Sequence, residues 1–286
     1  MIVLTGSSGH IAGEVVRLLA QAGIPARTLS RRPDNEPQLP GITRMAGDLA
    51  RPETLPALFE GCTKLFLLTG NVENMPVLQH NAIVAARQAG IAQVVKLSAL
   101  GASSHSNAQI GRWHYQVEKE LRESGLGWTI LRPHHFMQNL LAQAKNIIAN
   151  GVVYSASGAG KIPFIDTRDI AAAAVAVLTQ PDHLGKKYVL TGREALSYPQ
   201  VTEMIGNVIG KPLRCVDESF EEARARRLQA GEPLWLIEST LAIAAYQRAG
   251  GATETITSTV QDLTGKPPRT FAEFAADHAA IFRSVN

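Results

Sequence analysis

A glycine-rich turn near the start of the chain has the spacing of a phosphate-binding site. The stretch "TGSSGHIA" places Gly6, Gly9 and Ala12 in a G-x-x-G-x-x-A pattern directly after the apolar run "IVL". Gly6 permits a backbone angle that other residues avoid, and Gly9 leaves the main-chain N–H groups open to phosphate oxygens. We predict that the following helix N-terminus binds the diphosphate of a dinucleotide; a tight turn without a ligand is the alternative. The other residues expected beside the ligand are Ser8, His10 and Ile11.

The end of the second predicted strand favours NADP over NAD. An NAD site commonly carries Asp or Glu there, which accepts a hydrogen bond from the ribose 2′-hydroxyl. This sequence has "LSRR" instead, so that Arg31 and Arg32 follow the strand. A guanidinium can bind a 2′-phosphate through two hydrogen bonds and stack on the adenine. The predicted cofactor is therefore NADPH, with Arg31 as the main candidate and two solvated surface arginines as the alternative.

Ligands of an open parallel sheet lie outside the carboxyl ends of its strands, where further cofactor contacts are expected. Asp48 and Leu49 lie in "GDL" after the third strand. Asp48 could accept from the adenine amino group, or it could be a turn aspartate. The remaining residues expected at this edge are Thr69, Gly70, Asn71 and Ser98.

The segment "RPHHFMQN" after the sixth strand is the candidate substrate site. Phe136 could stack on a flat acceptor, and His134 or His135 could donate a proton. Asn139 adds an amide. A polar surface loop is the alternative, and no metal site is predicted because no third ligand stands at usable spacing.

The elements that must position these residues alternate through the first half of the chain. Strand-like runs occur at "IVLT", "ARTLS", "ITRMAG", "KLFLLTG", "QVVKLSAL" and "WTILRP". Helical stretches fall near 10–22, 52–60, 75–89 and 111–124. Such alternation predicts parallel strands joined by right-handed crossovers. The expected fold is α/β, a Rossmann-type doubly wound parallel sheet.

After about residue 135 the pattern becomes mostly helical. Two strand-like runs, "KYVLTG" and "LRCVDE", are isolated between helices, and "SYPQ" and "TFAE" have the form of capping boxes at Ser197 and Thr270. The predicted division is a dinucleotide-binding domain over 1–135, to which segments of 150–190 return. The rest, 136–286, forms a smaller, mostly helical substrate-binding region.

Composition excludes several classes of function. The 286 residues are 45% apolar and 19% charged, as in ordinary soluble globular proteins. A net charge of +3 argues against a nucleic-acid partner, and no apolar run approaches the ~20 residues of a membrane span. Cys62 and Cys215 match no metal spacing and are typical of cytosolic thiols. We expect a cytoplasmic protein without a leader peptide, either monomeric or homodimeric.

Ordered blocks along nearly the whole chain resemble the NmrA-like family, atypical members of the short-chain dehydrogenase/reductase superfamily. The resemblance implies a Rossmann domain, a preference for NADPH and a small C-terminal substrate domain. It also implies an NADPH-dependent reductase that transfers hydride to a small planar acceptor such as a quinone or an azo or dye compound. The blocks are "TGSSGHIA", "LSRRP", "GDLARPETL", "NAIVAARQAGIAQVVKLSALGA", "HYQVEKELRESGLGWTILRPHHFMQN", "IDTRDIAAAAVAVL", "YVLTGREALSYPQVTEMIG" and "TGKPPRTFAEFAADHAAIF".

The same resemblance suggests a catalytic pair in "YQVEK", where Tyr115 and Lys119 share one face of a helix. In many members of the superfamily the lysine lowers the pKa of the tyrosine and holds the nicotinamide ribose, while the tyrosine passes a proton. Ser98 would be the third member. The family blocks, however, align through His114 and Glu118, so a solvated helix face is the alternative for Tyr115 and Lys119.

Two other functions stay open from the sequence. One is a non-catalytic NADP(H)-binding regulator that acts through a protein partner. A weaker one is an enzyme resembling nucleotide-sugar epimerases or dehydratases, which would need a firm Ser/Tyr/Lys set. Steady consumption of NADPH with quinones separates the reductase from the regulator.

Overall fold

The computed structural model describes residues 1–31, 33 and 38–283, and the chain divides into two compact units. The first unit comprises Met1–Ser104, Ile110–Pro133 and Thr167–Val189. The second comprises His105–Gln109, His134–Asp166 and Leu190–Asn286. The glycine-rich turn therefore belongs to the first unit and the segment from His134 to Asn139 to the second.

The strands and helices alternate over the first half of the described chain, and helices predominate later. In chain order the strands are β1 (Ile2–Leu4), β2 (Ala26–Ser30), β3 (Ile42–Ala46), β4 (Lys64–Leu67), β5 (Gln93–Leu97), β6 (Gly127–Pro133), β7 (Val152–Ser155), β8 (Lys186–Leu190) and β9 (Arg214–Asp217). The helices are α1 (His10–Gln21), α2 (Pro56–Phe59), α3 (Met75–Gln88), α4 (Gln109–Glu123), α5 (Ala144–Asn150), α6 (Thr167–Thr179), α7 (Tyr198–Ile209), α8 (Phe220–Gln229), α9 (Leu234–Ala249), α10 (Thr259–Thr264), α11 (Phe271–Asp277) and α12 (Ala279–Arg283).

A seven-stranded sheet forms the centre of the first unit within the described residues, in the order β3-β2-β1-β4-β5-β6-β8. The pairings from β3 through β6 are all parallel. Strand order reverses between β1 and β4, and this switch point is where open α/β sheets bind ligands at their carboxyl edge. The predicted α/β, doubly wound fold is confirmed.

Helices cover both faces of this sheet. On one face, buried residues of α2, α3 and α4, such as Phe59, Ala86 and Val117, pack with Leu65 and Val94 of the strands. On the other face α1 packs against α6. The run of alanines in α6 presents little side-chain bulk, which allows the two helices to approach closely.

The helix predicted over 52–60 is divided in two. A 3-10 turn spans Pro52–Thr54, and α2 begins only at Pro56. Proline has no N–H to donate to the carbonyl four residues earlier, so a continuous α-helix is interrupted at this position.

The second unit holds a small parallel sheet of β7 and β9, registered from Val152 opposite Arg214. Strand β7 was not expected from the sequence. The run "KYVLTG" supplies β8, which lies at the edge of the large sheet beside β6. The capping boxes predicted at Ser197 and Thr270 are both observed, at the starts of α7 and α11.

The described helices include none that is long and apolar enough to cross a membrane. Among the described residues, no group of three or more His, Cys, Asp or Glu side chains is arranged to hold a metal ion.

Replacing Thr270 with alanine tests the capping box of α11. The hydroxyl of Thr270 accepts from the Glu273 N–H at 3.1 Å, and the helix buries Phe271 and Phe274 completely. Thr270→Ala should lower the free energy of unfolding by about 1 kcal/mol. Urea denaturation measures it, and Thr270→Ser, which keeps the hydroxyl, should be close to wild type; equal losses in both variants would contradict the capping role.

Candidate active site

The glycine-rich turn lies at the switch point and is tied to the strands on both sides. Thr5 Oγ1 donates to the carbonyl oxygen of Leu68 at 2.7 Å and accepts from the Leu68 N–H at 2.9 Å. Ser7 Oγ donates to the carbonyl oxygen of Leu29 at 3.1 Å. These bonds join the turn to the carboxyl ends of β4 and β2, so its backbone is held at the ligand edge of the sheet.

The two glycines of the turn have different structural requirements. Gly6 has φ +71°, and a Cβ there would stand 2.9 Å from the carbonyl oxygen of Leu68. Gly9 is the N-cap of α1 in extended conformation, and a Cβ there would meet only the Gly6 carbonyl oxygen at 3.4 Å. The fold therefore requires glycine at Gly6, whereas a small side chain fits at Gly9.

The N-terminus of α1 is open to an anion. Its N-cap makes no side-chain hydrogen bond, and its first turn contains no acidic residue. Ser8, Gly9 and His10 are exposed, whereas Ile11 is buried. The first N–H groups of a helix have no intrahelical partner and carry partial positive charge, so this turn can receive a phosphate.

The residues predicted around adenosine lie after β2 and β3. Arg31 directly follows β2 and is exposed, and Arg32 lies outside the described residues. Asp48 Oδ1 accepts from the Ala50 N–H at 2.9 Å, which is the arrangement of a turn aspartate. Leu49 is buried against the core.

At the carboxyl end of β4, the side chain of Thr69 is held by α3. Gln79 Nε2 donates to Thr69 Oγ1 at 2.8 Å. Gly70 and Asn71 are exposed, and a Cβ at Gly70 would meet nothing within 4 Å. The backbone here is thus accessible at the ligand edge.

A buried carboxylate organises the carboxyl ends of β5 and β6. Glu118 of α4 is fully buried and accepts from Ser98 Oγ at 2.6 Å. Arg132 binds the same carboxylate through Nε at 2.8 Å and a terminal nitrogen at 2.6 Å. Burial alone raises the pKa of Glu118, but hydrogen bonds from Arg132 and Ser98 outweigh it and keep that pKa below its ordinary value. The Ser98 hydroxyl is committed to Glu118 as a donor.

A lysine and a histidine complete this buried group. Lys96 Nζ lies 3.1 Å from the carbonyl oxygen of Leu97 and 3.2 Å from His114 Nδ1. Burial lowers the pKa of Lys96 to about 7, although the nearby Glu118 opposes the shift. Burial and the charge of Lys96 lower the pKa of His114 well below its ordinary value. The imidazole is therefore neutral at neutral pH.

Tyr115 and Lys119 lie away from the buried face of α4, which carries His114 and Glu118. Lys119 is exposed and pairs with Glu123 at 4.0 Å. Tyr115 is partly exposed, with the Arg122 guanidinium 6.0 Å from its ring centroid. The structure does not join these two residues with Ser98 in one hydrogen-bonded set, and their catalytic role stays a prediction.

In the second unit, the two adjacent histidines have different partners. His134 accepts from the His135 N–H through Nδ1 at 2.7 Å, and its Nε2 donates to the carbonyl oxygen of Thr253 at 2.9 Å. His135 Nε2 lies 3.2 Å from both Asn139 Nδ2 and Tyr198 Oη. Burial lowers the pKa of each imidazole to about 4, so neither is a cationic proton donor at neutral pH.

The other two predicted substrate residues border His135. Phe136 is partly exposed and its backbone bridges to Ile165. Asn139 is exposed, with its amide against His135. The four residues from "RPHHFMQN" thus form one local group inside the second unit.

Sequence reasoning missed several polar residues of these clusters. Lys96 carried a local signal, because a lysine inside the otherwise apolar run "VVKL" implies a buried charge. Arg132 lies inside the strand-like run "WTILRP" and Tyr198 inside the capping box "SYPQ". Both local patterns explain the residue by secondary structure and give no sign of its polar partners. Gln247 had no signal, because it lies 112 residues from His135 in sequence.

Comparisons with known proteins agree with this architecture. The model of the NmrA-like family matches residues 1–275. The chain is 39% identical over 287 residues to the NAD(P)H azoreductase of Xenophilus azovorans, with 99% of each chain covered. It is 30% identical over 279 residues to quinone oxidoreductase 2 of Escherichia coli strain K12, with 96% of each covered. A solved NADPH-dependent quinone oxidoreductase from Escherichia coli, complexed with NADPH, matches with TM-score 0.88 and 28% identity over 97% of this chain and 99% of that one.

The buried Lys96 gives stability a characteristic pH dependence. Its pKa is about 7 in the folded protein against an ordinary 10.5, so between these values the unfolded state binds more protons and stability rises with pH. Lys96→Met should remove a rise of about 1 kcal/mol per pH unit between pH 7.5 and 9.5. Denaturant unfolding at both pH values measures the difference from wild type. Lys119→Met is the matched exposed control and should keep the wild-type slope; a wild-type slope in Lys96→Met would contradict the buried-lysine assignment.

Proposed function

Because the chain belongs to the NmrA-like family, we propose that it is an NADPH-dependent reductase that transfers a hydride to a small planar acceptor such as a quinone or an azo compound. The observation that carries this proposal is the turn from Thr5 to Gly9. It lies at the switch point of the sheet, and the N-cap of α1 makes no side-chain hydrogen bond.

The residues present fit a dinucleotide. The exposed Gly9 leaves room for an anion at the N-terminus of α1, where a longer side chain would stand before the N–H groups. Arg31 would bind the 2′-phosphate, since it is exposed directly after β2 where an acid would favour NAD. Asp48 and Leu49 would border the adenine, and the remaining contacts would come from the exposed backbone after β4. The Ser98 hydroxyl donates its proton to Glu118. Ser98 would therefore offer the cofactor van der Waals contact and an acceptor lone pair.

The chemistry needs little acid–base help from the chain. Bound NADPH supplies a hydride from its nicotinamide ring. Reduction of a quinone to the hydroquinone takes two electrons and two protons; the hydride carries both electrons and one of the protons, so NADPH plus one solvent proton balances the reaction. His134 and His135 are neutral at neutral pH, so they serve as hydrogen-bonding groups and water is the proton source. Phe136 would offer an aromatic face to the flat acceptor.

The relatives support both the cofactor and the acceptor class. An azoreductase that uses NAD(P)H shares 39% of its residues with this chain, and a quinone oxidoreductase with NADPH bound shares 28%. Both comparisons cover at least 97% of this chain. Azo compounds and quinones are planar and accept hydride readily, which suits a site that positions its ligands without a charged acid.

We also propose a cytoplasmic location. Cys62 is buried, Cys215 is partly buried, and both are free thiols in the structure. Unpaired thiols are typical of a reducing compartment.

The proposed activity is tested with purified protein, NADPH and a panel of a benzoquinone, a naphthoquinone and an azo dye. We expect steady loss of nicotinamide absorbance well above the buffer rate with at least one acceptor. Binding of NADPH by calorimetry without turnover of any acceptor would favour the regulator instead. Absence of binding would remove both functions.

Gly9→Val tests the phosphate-binding turn. The added side chain would cover the N–H groups at the start of α1, so affinity for NADPH should fall about 100-fold or more, the equivalent of about 3 kcal/mol of charged hydrogen bonds. Calorimetry measures the binding. The thermal midpoint of the apoprotein should change little, because a Cβ at Gly9 makes only ordinary contact; unchanged affinity would contradict the assignment.

Arg31→Ala tests the choice of cofactor. Loss of charged hydrogen bonds to the 2′-phosphate should weaken NADPH binding about 10- to 100-fold and leave NADH binding nearly unchanged. Arg87→Ala removes the same charge from the exposed end of α3 and is the control. Equal losses for the two nucleotides in Arg31→Ala would show that no 2′-phosphate contact exists.

A further inference from the structure

We propose that His114 donates a hydrogen bond to the acceptor atom that gains negative charge with the hydride, and that Lys96 is the positioning residue that fixes the His114 tautomer. This inference rests on the proposed reductase function and assigns a polar contact that the function leaves open. The acceptor class is unchanged: a planar compound whose carbonyl oxygen or azo nitrogen receives charge on reduction.

The imidazole of His114 has one nitrogen bonded inside the protein and one that reaches the surface. Nδ1 lies 3.2 Å from Lys96 Nζ, whereas Nε2 has no hydrogen-bond partner among the described residues. Within that same part of the chain, the buried side-chain nitrogen and oxygen atoms left without a partner belong to Arg27, Thr28 and Gln79. The unbonded Nε2 is not one of these buried atoms, so it contributes to the 7% of His114 that is exposed.

The position of His114 in α4 places this open nitrogen near the ligand edge of the sheet. Strands β5 and β6 are parallel, and α4 connects them, so α4 runs antiparallel to both and begins at their carboxyl edge. His114 precedes Glu118 by one helical turn, and Glu118 binds Ser98, the residue that follows β5. His114 therefore lies one turn closer to the carboxyl edge, where ligands of such sheets bind.

Lys96 determines which nitrogen of His114 carries the proton. A lysine ammonium only donates hydrogen bonds, so the nitrogen that faces it, Nδ1, must be the acceptor. The carbonyl oxygen of Leu97 accepts a second N–H of the same ammonium at 3.1 Å. Burial and the charge of Lys96 keep the pKa of His114 well below its ordinary value. The ring therefore carries a single proton, which lies on Nε2 and is directed outward.

The charges behind the imidazole favour an anionic partner in front of it. Glu118 is bound by Arg132 through two hydrogen bonds and lies 3.4 Å from Arg122. The protonated Lys96 therefore adds positive charge to a carboxylate that is already paired. A cation behind a neutral donor strengthens its hydrogen bond to an anion. The same cation would oppose the positive charge that a nicotinamide ring gains on oxidation, so the donor suits the acceptor and not that ring.

The proposed contact acts on the charge that forms during hydride transfer. A quinone that receives the hydride and its electron pair from NADPH becomes the hydroquinone monoanion, and NADPH becomes NADP⁺. His114 Nε2–H donates to the charged oxygen and keeps its own proton, and a solvent proton then completes the hydroquinone. A neutral imidazole is an effective donor to such an oxygen, and one preorganised donor typically contributes about 100-fold or more to the rate.

A matched pair of substitutions at His114 tests the donor. Asparagine places its amide near the position of Nδ1 and keeps a partner for Lys96, whereas glutamine places its amide near the position of Nε2. His114→Asn should lower kcat with a quinone about 100-fold, and His114→Gln should lower it only about 10-fold. The Kd of NADPH, measured by calorimetry, should stay at the wild-type value in both. Equal losses of kcat in the two variants would contradict the donor role.

The ¹⁵N spectrum of the His114 ring tests the positioning role of Lys96. At about pH 6 Lys96 is protonated, since its pKa is about 7, and the wild-type ring should be uncharged and protonated on Nε2. In Lys96→Met the Nδ1 signal should move to the position of a free ring nitrogen, and kcat should fall about 10-fold. Lys145→Met, at an exposed position of α5, should leave spectrum and kinetics at wild type. A wild-type ring protonated on Nδ1, or on both nitrogens, would overturn the proposal.

The wild-type protein separates this inference from the proposed function. If it oxidises no NADPH with any acceptor, the reductase proposal fails, and a naphthoquinone titration of the His114 ring signals in saturating NADP⁺ decides the contact alone. A shift of the Nε2–H signal that saturates with the quinone supports the acceptor contact. A signal that NADP⁺ moves and the quinone does not, or that neither compound moves, contradicts it.

Discussion

The hydrogen bonding at the switch point of the sheet is the constraint on which the candidate cofactor site depends. Strand order reverses there between β1 and β4, and the Thr5 side chain supplies both a donor and an acceptor to Leu68 at the end of β4. That exchange holds the start of the turn, which must then bend sharply at Gly6 before α1 begins. The bend requires φ +71°, which glycine adopts without strain. The exposed residues Ser8 to His10 at the start of α1 follow directly from this bend.

A second constraint is the burial of polar groups, which the two units resolve by pairing a buried carboxylate and by lowering the pKa of buried lysine and histidine side chains. In the first unit, Glu118 is satisfied by Ser98 and Arg132, and burial drives Lys96 and His114 towards their neutral forms. In the second unit, His134 and His135 are neutral for the same reason. A protein of this kind positions its ligands and forms hydrogen bonds with them, and it supplies no strong acid or base. That contribution is sufficient for acceptors that take a hydride readily and draw their proton from water.

How far the sequence predicted the molecule depended on the range of the interaction. The alternation of short apolar runs with helical stretches predicted β1 to β6 closely, because a buried parallel strand and an amphipathic helix each carry a local pattern. The capping boxes at Ser197 and Thr270 were predictable for the same reason. Strand β7 was missed, since four residues next to a glycine give little periodic signal, and the helix over 52–60 was overextended through Pro56.

The sequence by itself determined the Rossmann-type sheet, the glycine-rich turn and the arginine after β2, because each is encoded by neighbouring residues. Only the tertiary structure decided what the side chains bind. It directed the Ser98 hydroxyl to Glu118, placed Lys119 in solvent beside Glu123, and brought Gln247 to His135 from 112 residues away. The physical reason is that backbone conformation follows local sterics and periodicity. The partner of a buried polar group, in contrast, is the donor or acceptor that tertiary packing places beside it.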